Sequence, residues 1–133
     1  MRTWSLLSVS IALTALVAAP HPAHAQGTRA FKVDESLAGW GKRIWISKQC
    51  AGCHELGRQQ STGPDLIGVT DRRSIDWLRK WLKDPKEMTS DDSIGSALKQ
   101  QYNSQMPNFG LNDHDIDGVI NFLAEQTEEH THK

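Results

Sequence analysis

The sequence predicts an all-α domain of about four helices. Apolar residues recur three and four positions apart in several segments, which is the period of one helix face. The clearest stripe comprises Ile116, Val119, Ile120 and Leu123. No segment alternates apolar and polar residues convincingly over the length of a strand. Capping residues and breakers separate the periodic segments, so we expect helices joined by loops.

The first two predicted helices carry most of the tryptophans. The first runs from Asp34 or Ser36 to about Cys50, and its apolar face comprises Leu37, Trp40, Ile44 and Trp45. The second begins after Ser74, a good N-cap, and ends at Asp84-Pro85. Its apolar residues are Ile75, Trp77, Leu78, Trp81 and Leu82.

Two further helices are predicted toward the carboxyl end. A shorter one runs from about Asp91 to Gln101 and is capped by Ser90 or Asp91. The last begins after Asn112 and carries acidic residues opposite its apolar stripe. The tail from Thr127 to Lys133 is polar, and we expect it to fray.

Two segments are predicted to be loops because glycine and proline residues interrupt any helical or strand periodicity. Glu55 to Arg73 contains Gly57, Gly63, Pro64 and Gly68, and Gln105 to Leu111 contains Pro107 and Gly110. A structureless loop as long as the first is unusual in a compact domain unless it encloses something.

The amino-terminal residues 1–25 have the pattern of a signal peptide. Arg2 gives a positive start, residues 6–19 are an apolar run of 14 residues, and Ala23-His24-Ala25 is a small-x-small cleavage site. We expect cleavage after Ala25, periplasmic export and one mature domain, residues 26–133. A membrane anchor is the weaker alternative, because spanning a bilayer takes about 20 apolar residues.

The charge of the mature chain argues against nucleic acid as a partner. One of the 15 Lys and Arg residues lies in residues 1–25, whereas all 16 Asp and Glu residues follow it, so the mature net charge is −2. Phosphate binding needs positive charge or a dense basic face. Bases dominate residues 71–86 and acids dominate 113–129. This asymmetry predicts either an orienting dipole or two ordinary solvated helix faces.

The decisive motif is Cys50-Ala51-Gly52-Cys53-His54, which contains the only two cysteines of the chain. This order suits covalent haem, because each thiol adds to one vinyl group while the adjacent imidazole reaches the iron. A thioredoxin-type pair would follow a strand, whereas here a helix precedes it. A zinc site would need a second pair of ligands, and none has suitable spacing. A disulfide across two intervening residues would close too small a loop to stabilise the fold much.

The order of its motifs along the sequence makes the chain resemble class I (mitochondrial-type) cytochromes c. The resemblance rests on CxxCH after an amino-terminal helix, a Gly63-Pro64-Asp65-Leu66 loop and Met106-Pro107 before a final helix, and it covers about residues 34–124. It implies the cytochrome c fold, with the helices wrapped around one haem c held by two thioethers.

The resemblance also implies roles for individual residues. His54 would be the proximal ligand, with its ring donating to the carbonyl of Pro64, and donors from Arg72, Arg73 and Trp77 would meet the haem propionates. Surface charge is an equal alternative for the two arginines. Trp45 and Phe122 are expected to touch where the first and last helices cross. Asn103 and Asn108 are candidates either to hydrogen-bond near the Met106 sulfur or to shape its loop.

The sixth ligand is predicted to be Met106. It lies in a breaker-rich loop, and Pro107 biases it toward an extended backbone. Met88 or an open coordination site are the alternatives, and His114 is expected to be solvated.

If His54 and Met106 both bind the iron, the site is closed to substrates. We therefore expect an electron carrier rather than an enzyme. The carrier would dock transiently with respiratory redox partners near the haem edge and would take no small-molecule substrate. A ligand-binding or catalytic haem protein and a permanently docked subunit are the rival interpretations.

Overall fold

The computed structural model describes residues 31–58 and 61–132, and within them every regular element is a helix. The all-α prediction is confirmed. The helices are α1 (Glu35–Ser47), α2 (Val69–Arg72), α3 (Ile75–Lys83), α4 (Pro85–Asp91), α5 (Ser93–Tyr102) and α6 (Asp113–Thr131), with a 3-10 turn at Cys50–Gly52 between α1 and α2. The predicted signal peptide, residues 1–25, lies outside the described residues.

The four predicted helices correspond to α1, α3, α5 and α6, each opened by a side-chain cap. Asp34 caps α1 by accepting from the backbone of Ser36 and Leu37 at 2.9 and 3.1 Å. Ser74 accepts from the backbone of Trp77 at the start of α3. Asn112 and Asp115 form a reciprocal capping box at the start of α6. Such caps satisfy backbone donors that a helix leaves unpaired, so they fix where each helix begins.

The first and last helices cross at closely packed glycines. A Cβ on Gly41 of α1 would overlap the backbone carbonyl of Gly118 of α6, so neither position has room for a side chain at the present spacing. Beyond the crossing, the Trp45 and Phe122 rings lie 5.7 Å apart. The predicted contact between these two rings is confirmed.

Helix α4 was missed by the sequence prediction, in which Asp84-Pro85 only ended a helix. The same pair also begins one. The Asp84 carboxylate accepts from the backbone of Lys86 and Glu87 at 3.1 and 3.0 Å, and Pro85 occupies the first turn. Proline is well tolerated there, because its missing N–H would have no helical partner. The next helix starts later than predicted, with Asp92 as its cap.

The carboxyl end of α6 does not fray at Thr127 as predicted, since the helix continues to Thr131. Thr127 is buried and its hydroxyl donates to the carbonyl of Leu123 at 2.8 Å. The same oxygen accepts from the backbone of Gly68 at 2.9 Å. This bond ties the end of α6 to the loop before α2. Helix α2 itself was not predicted, because it lies within the segment from Glu55 to Arg73 that was expected to be a loop.

The basic and acidic runs of the sequence face each other across α3 and α6. Arg79 pairs with Asp117 at 2.8 Å and Lys83 with Asp113 at 2.9 Å. These pairs are largely exposed and therefore stabilise the fold little. They do place opposite charges side by side, which reduces any dipole between the two runs.

Candidate functional site

The helices enclose a cavity of about 1090 Å³. Its walls come from the CxxCH segment, the following loop, α3, the Met106 loop and the apolar face of α6. Ligand sites for drug-sized molecules span roughly 300–1,000 Å³, so this cavity is large for so short a chain. All eight residues predicted to bind the cofactor line it: Cys50, Cys53, His54, Pro64, Arg72, Arg73, Trp77 and Met106.

The CxxCH segment leaves α1 through a tight turn that presents both thiols. Gln49 takes a left-handed conformation (φ 55°), and the backbone of Cys53 and His54 then donates to the carbonyl of Cys50 at 3.1 and 3.0 Å. Cys50 is half-buried, Cys53 is exposed, and neither is in a disulfide. Burial raises the pKa of the Cys50 thiol. The turn thus places both sulfurs at the cavity wall.

The His54 ring is fixed by one hydrogen bond and by burial. Its Nδ1 lies 2.9 Å from the carbonyl oxygen of Pro64, which accepts if Nδ1 carries the proton. Burial lowers the pKa of His54, and the Pro64 contact opposes that shift only in part. A neutral imidazole with its proton on Nδ1 leaves Nε2 as the nitrogen that can coordinate a metal.

Gly63 lies at the site, although the sequence analysis used it only as a loop breaker and as part of the Gly63-Pro64-Asp65-Leu66 motif. A Cβ there would lie 2.8 Å from Cε1 and 2.9 Å from Nδ1 of His54. Its backbone N–H donates to the carbonyl of Cys53 at 2.7 Å. The loop therefore lies directly against the imidazole, and only a residue without a side chain allows this approach.

The Met106 loop is anchored on both sides of the methionine. The Gln105 side chain accepts from the hydroxyl of Thr89 in α4 at 2.9 Å. Asn108 donates to the carbonyl of Lys83 at the end of α3 at 3.1 Å. Lys48, just after α1, donates to the carbonyl of Phe109 at 3.1 Å. Met106 itself is half-buried and faces the cavity.

The three predicted propionate donors line the cavity but already have protein partners. Arg72 donates to the backbone carbonyls of Asp65 and Ile67. The indole N–H of Trp77 donates to Asp92 at 3.1 Å. The Arg73 guanidinium donates to the Arg72 carbonyl and lies 5.5 Å from the Trp77 ring centre. A propionate role would require these donors to share or exchange partners.

The remaining candidate ligands lie away from this cavity. Met88 belongs to α4 and does not line the cavity. His114 is exposed, as predicted, with its ring centre 5.4 Å from that of Trp40. In the part of the chain that the structure describes, no cluster of three or more His, Cys, Asp or Glu could hold a metal ion.

The Cytochrome c family model matches residues 39–127 of this chain. The chain belongs to the cytochrome c family. It is therefore an electron-transfer protein with one covalent haem c, and the family's role is that of a carrier rather than an enzyme. The thiols, the oriented imidazole and the cavity fit that group, and the all-helical architecture is the cytochrome c fold.

Solved structures of other cytochromes c are similar to this one. Cytochrome c from Rhodothermus marinus is 24% identical, covers 74% of this chain and 83% of its own, and has a TM-score of 0.69. A cytochrome c domain from Pseudomonas putida is 35% identical, covers 68% of this chain and 91% of its own, and has a TM-score of 0.59. No curated protein matches the sequence significantly.

Proposed function

We propose that this cytochrome is a periplasmic carrier of single electrons between respiratory redox partners, with Cys50 and Cys53 bonded to the haem and His54 and Met106 as its axial ligands. The observation that carries this proposal is the single cavity lined by all four residues. When bound, the haem supplies an iron that cycles between Fe(II) and Fe(III).

Each axial ligand has its own support from the protein. The Pro64 carbonyl orients the His54 ring, and a hydrogen bond of this kind also makes the coordinating nitrogen more basic. Helix α4 and the end of α3 hold the loop that carries Met106. A thioether ligand opposite a histidine favours reduced iron and raises the reduction potential. Because both ligands are held by the fold, we propose that neither is displaced by a substrate.

Electron exchange is proposed to occur where the CxxCH turn meets solvent. Cys53 and its neighbours Ala51 and Gly52 are exposed, so the haem edge attached there would lie near the surface. A small, weakly held interface suits a carrier that must leave each partner quickly. The proposed function involves neither a nucleic-acid partner nor a small-molecule substrate.

Replacing Met106 with Ala should abolish the weak far-red sulfur-to-iron absorption band and open the iron to carbon monoxide. Alanine has no sulfur to coordinate, so the sixth position would be vacant or taken by water. The measurement is the optical spectrum of the purified haem protein, oxidised and reduced. Met88→Ala is the matched control, because Met88 lies in α4 outside the cavity. Loss of the band in Met88→Ala but not in Met106→Ala would contradict the ligand assignment.

The exported protein should begin at Gln26 and carry one haem. Because residues 1–25 have a signal-peptide pattern, we expect cleavage after Ala25 and recovery in the periplasmic fraction. Intact-mass measurement on that fraction checks both points. Within residues 31–58 and 61–132, no helix is long and apolar enough to cross a membrane. Recovery of the uncleaved chain in the membrane fraction would contradict the proposed location.

A further inference from the structure

Thr89 makes a buried contact with the residue that directly precedes Met106. Its hydroxyl donates to the side-chain oxygen of Gln105 at 2.9 Å. Thr89 lies on α4 and is only 7% exposed. The amide nitrogen of Gln105 in turn donates to the backbone carbonyls of Pro85 and Met106, at 3.4 and 3.2 Å. The Gln105 side chain therefore connects α4 to the peptide of Met106 itself.

The hydroxyl proton of Thr89 is available for Gln105. The same hydroxyl lies 2.8 Å from the carbonyl oxygen of Lys86, which is a second acceptor within reach. That carbonyl also accepts from the hydroxyl of Ser90 at 3.3 Å, so α4 does not depend on Thr89 to satisfy it. Among the residues that the structure describes, Thr89 is the one donor to the side-chain oxygen of Gln105.

Burial distinguishes this contact from the Asn108 anchor on the other side of Met106. Asn108 donates to the carbonyl of Lys83 at 3.1 Å, but both of these residues are exposed, so water can replace either partner. A hydrogen bond that is shielded from water is electrostatically stronger than one that water can replace. The contact between Thr89 and Gln105 should therefore hold the loop more firmly than the contact of Asn108.

We propose that the hydrogen bond between Thr89 and Gln105 sets how often Met106 leaves the iron, and that Thr89 is thereby a positioning residue that restricts the entry of foreign ligands. The inference rests on the proposed ligation of Met106. A foreign ligand can bind only after the thioether has moved away, so its binding rate is proportional to the fraction of molecules with an open loop. Loss of the hydrogen bond raises that fraction and leaves both axial ligands in place.

The test replaces Thr89 with Val in the full haem-loaded protein and uses imidazole as the foreign ligand. Valine keeps the branched shape of threonine and has no hydroxyl. The rate constant for imidazole binding to the oxidised iron, measured by stopped-flow absorbance, should rise about twofold to tenfold, the range expected from loss of one hydrogen bond. Thr89→Ser retains a hydroxyl and should restore the wild-type rate. Without imidazole, both variants should keep the far-red band, because Met106 remains the ligand in most molecules.

Two further variants separate the proposed contact from a general loosening of α4. Ser90→Ala is the matched control, because Ser90 is the next residue of α4, is exposed and donates to the Lys86 carbonyl rather than to Gln105. It should bind imidazole at the wild-type rate. Gln105→Ala should raise the rate at least as much as Thr89→Val does. In the Gln105→Ala background, Thr89→Val should add nothing, because the two changes remove the same hydrogen bond.

Three results would overturn the inference. One is a wild-type imidazole rate in Gln105→Ala, which also decides the matter if Thr89→Val fails to take up haem. The second is an equal rise in Thr89→Val and Ser90→Ala. The third is an undiminished effect of Thr89→Val in the Gln105→Ala background, which would mean that Thr89 acts through α4 and not through Gln105. Absence of the far-red band from wild type would instead contradict the proposed Met106 ligation.

Discussion

Replacing Cys50 and Cys53 together with Ser should abolish covalent haem attachment. Each thioether forms when a thiol S–H adds across a haem vinyl group, and a serine hydroxyl does not replace the thiolate as a nucleophile. The chain has no other cysteine, so no second thiol can substitute. Without its cofactor the domain would also lose the apolar group around which the cavity closes, and we expect little folded protein to accumulate.

Haem staining after denaturing electrophoresis measures this effect, since only covalently bound haem stays with the chain. The double variant should fall to background. Ala51→Ser is the matched control, because it adds a hydroxyl to the same exposed turn and leaves both thiols. Full staining of the double variant would show that the two thiols are not the attachment points. Loss of staining in Ala51→Ser would mean that staining depends on the turn as a whole, and would contradict the assignment of the effect to the thiols alone.

Replacing Gly41 with Ala should lower the free energy of unfolding by about 1–3 kcal/mol, the usual cost of overpacking a tight contact. The new methyl group would overlap the backbone carbonyl of Gly118. Backbone cannot move aside as the end of a flexible side chain can, so α1 and α6 must separate. Because α1 carries Trp45, whose ring centre lies 6.5 Å from that of His54, we also expect weaker haem packing.

Gly39→Ala is the control for this prediction. Gly39 lies on the same helix, and a Cβ there would meet nothing within 4 Å. Alanine favours a helix over glycine by about 1 kcal/mol, so this variant should be as stable as wild type or more stable. Urea unfolding of the haem-loaded proteins compares the three. Equal losses in Gly39→Ala and Gly41→Ala would contradict the close crossing.

The parts of the fold that could be predicted depend on local signals. Ser74 and Asn112 each cap a helix through a bond to the residue three positions later, and such local pairs can be identified in the sequence. Helix α4 was missed because Asp84-Pro85 both ends one helix and begins the next. The continuation of α6 past Thr127 is supported by the hydrogen bond from Gly68, which is 59 residues away. No local pattern in the sequence reveals that pairing.

In the candidate site, too, features that depend on neighbouring residues could be predicted, whereas features that depend on distant residues could not. CxxCH could be identified directly because its chemistry needs adjacent residues, whereas the contact between Pro64 and His54 was expected only from the resemblance to cytochromes c. The indole partners could not be predicted, because Asp92 and Met106 reach Trp77 and Trp81 only through the folding of α4, α5 and the later loop. Gly63 was visible as a breaker, but its approach to His54 depends on the path of the loop.

The measurement that tests the closed haem site most directly is a carbon monoxide challenge of the reduced wild-type protein. If His54 and Met106 both bind the iron, the spectrum should be low-spin in both oxidation states and should not change when carbon monoxide is added. A redox titration of the same sample should then follow a single one-electron curve. A high-spin oxidised iron that takes up carbon monoxide on reduction would contradict the account, because an open coordination site would then be available to a substrate.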